Sequence, residues 1–106
     1  MPLWINAANA VLVTSDYEGF GMATIEALAC KVPVLSTPVG IAPYALGGID
    51  GCLCADFDVA AWEIVARRHL DAPDPRVQGA ARAATLSAAT MAERVIEAYR
   101  AVLAEQ

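Results

Sequence analysis

Two glutamates flank a short stretch with two glycines in this sequence of 106 residues. Glu18 lies directly before Gly19, and Glu26 follows after a gap of seven residues that also contains Gly21. Where a strand turns into a helix, glycines let the backbone approach a ligand closely, and the first helical N–H groups can bind an anion. Carboxylates accept hydrogen bonds from sugar hydroxyls. The spacing therefore suits a phosphorylated ligand with hydroxyl-rich rings on either side of its phosphate.

Each part of this pattern also has a purely structural interpretation. Two glycines often join a strand to a helix for steric reasons, and Glu18 could be a solvated acid that complements the helix dipole. Glu26 falls at the flank of the apolar stripe of its helix, neither clearly in the core nor clearly in solvent. From the residues alone, both interpretations stay open.

The hydrophobic pattern indicates the elements that position these residues. It predicts buried strands near residues 10–14, 33–36 and 52–55 and helices near residues 21–30, 58–71, 76–89 and 90–104. The alternation of strands and helices predicts an α/β fold, a three-layer parallel sheet that forms part of a Rossmann-like arrangement. Ligands bind outside the carboxyl ends of such strands, so the site is expected at residues 15–21.

Other positions carry structural expectations. The side chains expected in the core are Met22, Ile25, Leu28 and Ala29 in the first helix, Trp62 in the second, and Met91, Val95, Tyr99 and Val102 in the last. Asp58 is predicted to cap the helix that follows it. His69 is expected at the surface or at a helix end, and Cys52 and Cys54 in the core. The loop at residues 39–42 either lines the ligand cleft or is a plain connection.

Composition and charge exclude several classes of protein. Hydrophobic residues make up 58% of the chain, and no run reaches the about 18 apolar residues of a membrane span, so a single cytoplasmic domain is expected. Three cysteines without metal-ligand spacing exclude a disulfide framework, and no cofactor is expected. Residues 1–66 carry seven acids against one lysine, a net charge of −6, which argues against a nucleic-acid partner.

The amino-acid sequence between Trp4 and Gly40 resembles that of a known family. It is similar to the carboxyl-terminal, donor-binding domain of glycosyltransferases of the GT-B fold, of the group 1 or family 4 type. The resemblance runs from about Leu3 to Trp62, and its most specific part is Glu-Gly-Phe-Gly from Glu18 and Glu-Ala-Leu-Ala-Cys from Glu26. It implies that residues 1–106 form a single partial nucleotide-sugar-binding domain, the second half of the carboxyl-terminal domain of the GT-B fold.

The resemblance also implies roles for individual residues. Glu18, as the catalytic residue, would contact hydroxyls of the transferred sugar, and Glu26 would bind the ribose hydroxyls of a nucleotide-diphosphate sugar. The implied substrate-binding residues are Gly19, Phe20, Gly21, Met22 and Glu26, with the backbone N–H groups of residues 20–22 meeting the sugar and the diphosphate. The implied reaction is retaining glycosyl transfer without a bound metal, helped by donors aimed at the leaving diphosphate.

Three departures from the family pattern leave the donor sugar undetermined. Ala23 stands where many members have proline, Asn9 where aspartate is usual, and Tyr44 where a glutamate commonly follows the proline.

Three functions stay open from the sequence. The first is a fragment of a glycosyltransferase, inactive as an isolated chain, whose full-length enzyme is cytoplasmic or peripheral at the membrane. The second is a nucleotide-sugar-binding module without catalysis, because Lys31 is the one base among residues 1–66. The third is a scaffold that forms a homo-oligomer, because the strand at residues 10–14 would present an apolar edge.

Overall fold

A computed structural model describes residues 2–105 of the chain. Its elements are α1 (Pro2–Ala7), β1 (Val11–Val13), α2 (Met22–Ala29), β2 (Val34–Ser36), α3 (Ala42–Leu46), β3 (Leu53–Cys54), α4 (Val59–Leu70), α5 (Ala80–Ala84) and α6 (Ala88–Ala104). No helix within residues 2–105 is both long and apolar enough to span a bilayer.

The three strands form one parallel sheet in the order β1-β2-β3. Val11 pairs with Val34 across the first ladder, and Leu35 pairs with Leu53 across the second. Each pair of neighbouring strands is joined by a segment that contains a helix, α2 for the first pair and α3 for the second. The predicted α/β fold with a parallel sheet is therefore confirmed.

Helices cover both faces of the sheet. The main core lies on the α2 side and consists of Ile25, Ala27, Leu28, Val32, Val34, Ala42, Ala45, Leu46, Val77 and Ala83. Leu35 points to the opposite face from Val34, because successive side chains of a strand alternate, and it is fully buried. On that side α4 contacts β2, and its Trp62 is buried as predicted. The sheet is thus the middle of three layers.

The face of α2 that packs on the core differs from the predicted stripe. Met22 is 55% exposed and Ala29 is also exposed, so both were wrongly expected in the core. Glu26 shares their face, because positions i, i+4 and i+7 lie on one side of a helix. The buried residues are Thr24, Ile25, Ala27 and Leu28. Glu26 is therefore a solvent-facing residue and not a flanking one.

The long helix α6 buries none of its residues. The prediction that Met91, Val95, Tyr99 and Val102 face the core was wrong, since each is at least 48% exposed. The radius of gyration is 16.1 Å, against about 13 Å for a compact chain of this length. Periodic apolar residues and a cap from Ser87 form the helix, but the core is already completed by Ala83 of the short helix α5.

The end of α4 is tied into the body of the protein. Asp58 caps the start of this helix as predicted, because its side chain accepts a hydrogen bond from the N–H of Ala60 (3.2 Å). His69 lies in the last turn of the helix, which was one of the two predicted positions, and it is buried (4% exposed) and not at the surface. Its Nε2 donates to the carbonyl oxygen of Gly51 at 2.6 Å, and the loop before β3 is thereby anchored to α4.

The cysteines of the third strand region have a packing role. Cys52 and Cys54 are half-buried against the main core, as predicted. Burial raises the pKa of both thiols above its ordinary value. They are therefore poor thiolate nucleophiles near neutral pH.

Matched leucine substitutions should separate the core from the projecting helix. Leu28→Ala leaves a cavity in the main core and should lower the free energy of unfolding by about 2–5 kcal/mol. Leu103→Ala makes the same change at a side chain that is 66% exposed, and it should alter that free energy by less than about 0.5 kcal/mol. Urea unfolding followed by tryptophan fluorescence measures both, and similar losses would show that α6 packs on the core.

Candidate functional site at the carboxyl ends of the strands

The predicted site lies in the connection between β1 and α2. Gly21 directly precedes α2 with φ 96° and ψ 50°, in the left-handed region that favours glycine. The helix has no side-chain cap and no acidic residue in its first turn. Its amino end therefore carries N–H groups for which no carboxylate of the first helical turn competes.

The structure places the predicted site residues at two levels of burial. Glu18 is half-buried, and its Oε1 accepts a hydrogen bond from the hydroxyl of Ser15 at 2.8 Å. Glu26 is exposed one turn beyond Met22, about 6 Å further along the helix at 1.5 Å per residue. Gly19 and Phe20 are exposed between them. One acid is thus held in place, and the other faces solvent.

The loop after β2 packs directly against the loop that carries Glu18. The N–H of Ile41 donates to the carbonyl oxygen of Phe20 at 2.7 Å. Gly40 has φ 54°, and a Cβ atom at this position would lie 2.4 Å from the same oxygen. The two loops approach so closely that residue 40 must lack a side chain. Residues 39–42 therefore pack against the loop of Glu18, and Val39 lines a cleft at the strand ends, while their contact with a ligand stays a prediction.

Thr37 joins the ends of β1 and β2. Its N–H donates to the carbonyl oxygen of Val13 at 3.0 Å, and its hydroxyl donates to that of Ser15 at 2.6 Å. Ser15 lies within the predicted site, residues 15–21, but Thr37 was not predicted, because a hydrogen bond between separate loops leaves no periodic signal in the sequence. Gly40 could be noticed in the sequence, because it is a glycine that follows shortly after a predicted strand.

A cleft of about 260 Å³ opens beyond the carboxyl ends of all three strands. Its lining residues are Thr14, Ser15 and Asp16 after β1, Thr37, Pro38 and Val39 after β2, and Asp56 and Phe57 after β3. The ring of Phe57 packs edge-on against Trp62, with 5.1 Å between the centroids. The lining contains two carboxylates and no Lys or Arg, so a bound anion would need backbone donors.

A larger cleft of about 440 Å³ lies at the other end of the sheet, beside the loop before β3. Arg68 and Asp50 line this cleft and form an exposed ion pair at 3.0 Å. The hydrogen bond from Arg68 lowers the pKa of the Asp50 carboxyl below its ordinary value. Neither cleft is lined by Glu18–Met22 or Glu26, but the strand-end cleft is lined by Ser15 and Asp16 of the same loop, and this cleft by no residue of that loop. In parallel sheets ligands bind at the carboxyl ends of strands, so the smaller cleft is the better candidate despite its size.

Comparisons with known proteins show which family the chain belongs to. A family model described as "Glycosyl transferases group 1" matches residues 1–71. The chain is 37% identical over 105 residues to a D-inositol 3-phosphate glycosyltransferase of Mycobacterium avium, covering 93% of this chain and 25% of that protein. A protein of the same name from Streptomyces scabiei is 41% identical over 83 residues, covering 76% of this chain and 19% of that protein.

A solved structure has the same fold. Sucrose-phosphate synthase from Thermosynechococcus elongatus superimposes with a TM-score of 0.77 at 28% identity, covering 98% of this chain and 28% of that one. The chain spans about a quarter of the length of the curated relatives it matches.

Two glycines with positive φ allow the contact between the loops to be tested. Gly40→Ala should cost more free energy of unfolding than Gly48→Ala, which carries the left-handed strain of about 1–2 kcal/mol but has no atom within 4 Å of the added Cβ. Urea unfolding gives the difference. In NMR spectra the amide resonances of residues 19–22 should shift in Gly40→Ala only, and equal costs with unshifted resonances would contradict the contact.

Proposed function

This chain belongs to the glycosyl transferases of group 1, and we propose that it binds the nucleotide-diphosphate-sugar donor of a retaining glycosyltransferase. The observation that carries the proposal is the uncapped amino end of α2 beside the Glu18 carboxylate, at the carboxyl end of the sheet. Family membership favours an enzyme over the module without catalysis and over the scaffold. The whole enzyme would transfer the sugar to an acceptor.

The amino end of α2 supplies the proposed diphosphate site. The aligned peptide dipoles of a helix place about half a positive charge at its amino end. Gly21 leaves this end open, since it has no side chain to cap it. The backbone N–H groups of Phe20, Gly21 and Met22 would donate to the diphosphate and to the sugar. As the bond to the sugar breaks, negative charge grows on the diphosphate, and these donors stabilise it.

The two glutamates supply the proposed hydroxyl contacts. Glu18 is half-buried next to the amino end of α2, where it would accept hydrogen bonds from the transferred sugar and orient its anomeric carbon. Glu26 faces solvent on the same side of α2 as Met22, where it would bind the ribose hydroxyls of the nucleotide. Gly19 lets the backbone approach the sugar. Neither contact requires a metal ion.

The charge distribution limits how tightly the 106 residues would hold this donor. Residues 1–66 carry a net charge of −6, and the lining of the strand-end cleft has two carboxylates but no base. A diphosphate would meet repulsion from these acids as well as attraction from the helix end. We therefore expect weak binding and no transfer by this chain alone.

Three glutamine substitutions test the assignment of the two acids. Glu26→Gln should weaken binding of UDP-glucose and of UDP about tenfold, because a neutral amide oxygen accepts a weaker hydrogen bond from the ribose hydroxyls than a carboxylate does. Glu18→Gln should weaken UDP-glucose to a similar degree and leave UDP unchanged, because UDP lacks the sugar. Glu63→Gln on α4, where the carboxylate pairs with Arg67 at 2.6 Å, is the control and should change neither affinity.

NMR titrations with UDP, UDP-glucose, GDP and GDP-mannose measure these affinities. If the site prefers guanine over uracil, GDP and GDP-mannose replace UDP and UDP-glucose in the comparison of the variants. Absence of binding by all four ligands would contradict the proposed donor site. Turnover of a nucleotide sugar by the 106 residues would contradict the expected lack of activity.

We also propose that the isolated chain self-associates through β1. This strand lies at the edge of the sheet, so alternate N–H and C=O groups point away from β2, and Leu12 is 57% exposed. Light scattering should give a mass above that of the monomer. Leu12→Lys should restore the monomer, whereas Leu103→Lys on α6 should not. A monodisperse monomer of the unaltered chain at high concentration would contradict self-association.

A further inference from the structure

We propose that Ser15 is a positioning residue for Glu18, and that Thr37 in turn holds Ser15. The inference deepens the proposed function and rests on it, because it takes Glu18 as the group that receives the transferred sugar. Ser15 itself would not touch the reacting atoms. Its hydroxyl would hold the carboxylate in the conformation that binds the sugar before the donor arrives.

The hydrogen bond from Ser15 leaves half of the carboxylate available. Ser15 Oγ donates to Oε1 of Glu18 at 2.8 Å, and within residues 2–105 the structure shows no hydrogen bond to Oε2. A carboxylate has about four lone-pair sites, so the occupied oxygen is fixed while the other can still accept from a sugar hydroxyl. Ser15 thus orients the carboxylate of Glu18 and leaves its Oε2 available as a hydrogen-bond acceptor.

Thr37 anchors the serine to the sheet. Its hydroxyl donates to the carbonyl oxygen of Ser15 at 2.6 Å, while its N–H donates to Val13. Ser15 lies two residues beyond β1, where the ladder has ended, and this pair of bonds extends the link between the strands to it. The base on which Glu18 is held is therefore part of the rigid sheet.

The other side of Glu18 is anchored as well. Phe20 accepts a hydrogen bond from Ile41, and a Cβ atom at Gly40 would lie 3.2 Å from the Cβ of Glu18. Glu18 is thus held between two points, residues 15 and 20, that both bind to the segment after β2. A glutamate has much conformational freedom, and a side chain that is already ordered loses less of it when a ligand binds.

The first measurement needs no ligand. NMR relaxation of the Glu18 side-chain methylenes should show restricted motion in the unaltered chain and greater mobility in Ser15→Ala. Ser15→Thr keeps the hydroxyl and should restore the restriction. Thr37→Val, which removes the anchor of Ser15, should increase the mobility partly. Unchanged mobility of Glu18 in Ser15→Ala would overturn the inference and leave the proposed donor site standing.

The second measurement separates positioning from general stability. Ser15→Ala should weaken binding of UDP-glucose roughly three- to tenfold, because Glu18 would then have to be ordered when the sugar binds, and should leave UDP unchanged. In the Glu18→Ala background, which leaves no side-chain acceptor for Ser15 to hold, the same substitution should add no further weakening. Equal losses for UDP and UDP-glucose would overturn the inference, since they would assign Ser15 to the stability of the whole loop. If the unaltered chain binds none of UDP, UDP-glucose, GDP and GDP-mannose, the proposed function fails, and the proposal that rests on it falls, although the mobility measurement still shows whether Ser15 holds Glu18.

Discussion

The hydrogen bond between the N–H of Ile41 and the carbonyl oxygen of Phe20 determines where the glycine-containing loop lies. Residues 14–22 of this loop are exposed or half-buried, so no apolar side chain anchors it in the core. Backbone contacts therefore replace hydrophobic burial as the force that positions it. Gly40 makes the contact possible, because any side chain at residue 40 would meet the oxygen that Ile41 binds. The site is consequently built by two loops that follow neighbouring strands.

Features with a local signal could be predicted from the sequence. The apolar runs that form the parallel sheet, the glycines before α2 and the cap at Asp58 each depend on adjacent residues. The helix α1 was not predicted, because six residues are too few to show a hydrophobic period. The role of Thr37 was not predicted, because its partner Ser15 lies 22 positions away in the sequence and only folding brings them together. The resemblance supplied roles for Glu18 and Glu26, but the half-buried position of one and the exposure of the other required the structure.

The acidic surface and the proposed ligand are linked by a simple electrostatic requirement. A site with two carboxylates and no base along the cleft gains little from the charge of a phosphate. Recognition would then depend on hydroxyl groups and on the directional N–H groups of α2, both of which act at short range. Such a site would distinguish a sugar-bearing nucleotide from inorganic phosphate by shape and hydrogen bonding. Its selectivity would not come from long-range attraction.

The exposed helix α6 unfolds independently of the sheet and its packed helices, so the chain has two parts of different stability. A helix that buries no residue gains nothing from tertiary packing, so its population depends on its own helix–coil equilibrium. Six of its 17 residues are alanine, the residue with the highest helix propensity. The abundance of alanine here serves local helix formation where a core contact is lacking. Residues 88–104 can therefore fray and re-form while the sheet stays folded, and the unfolding of the whole chain is not a single cooperative event.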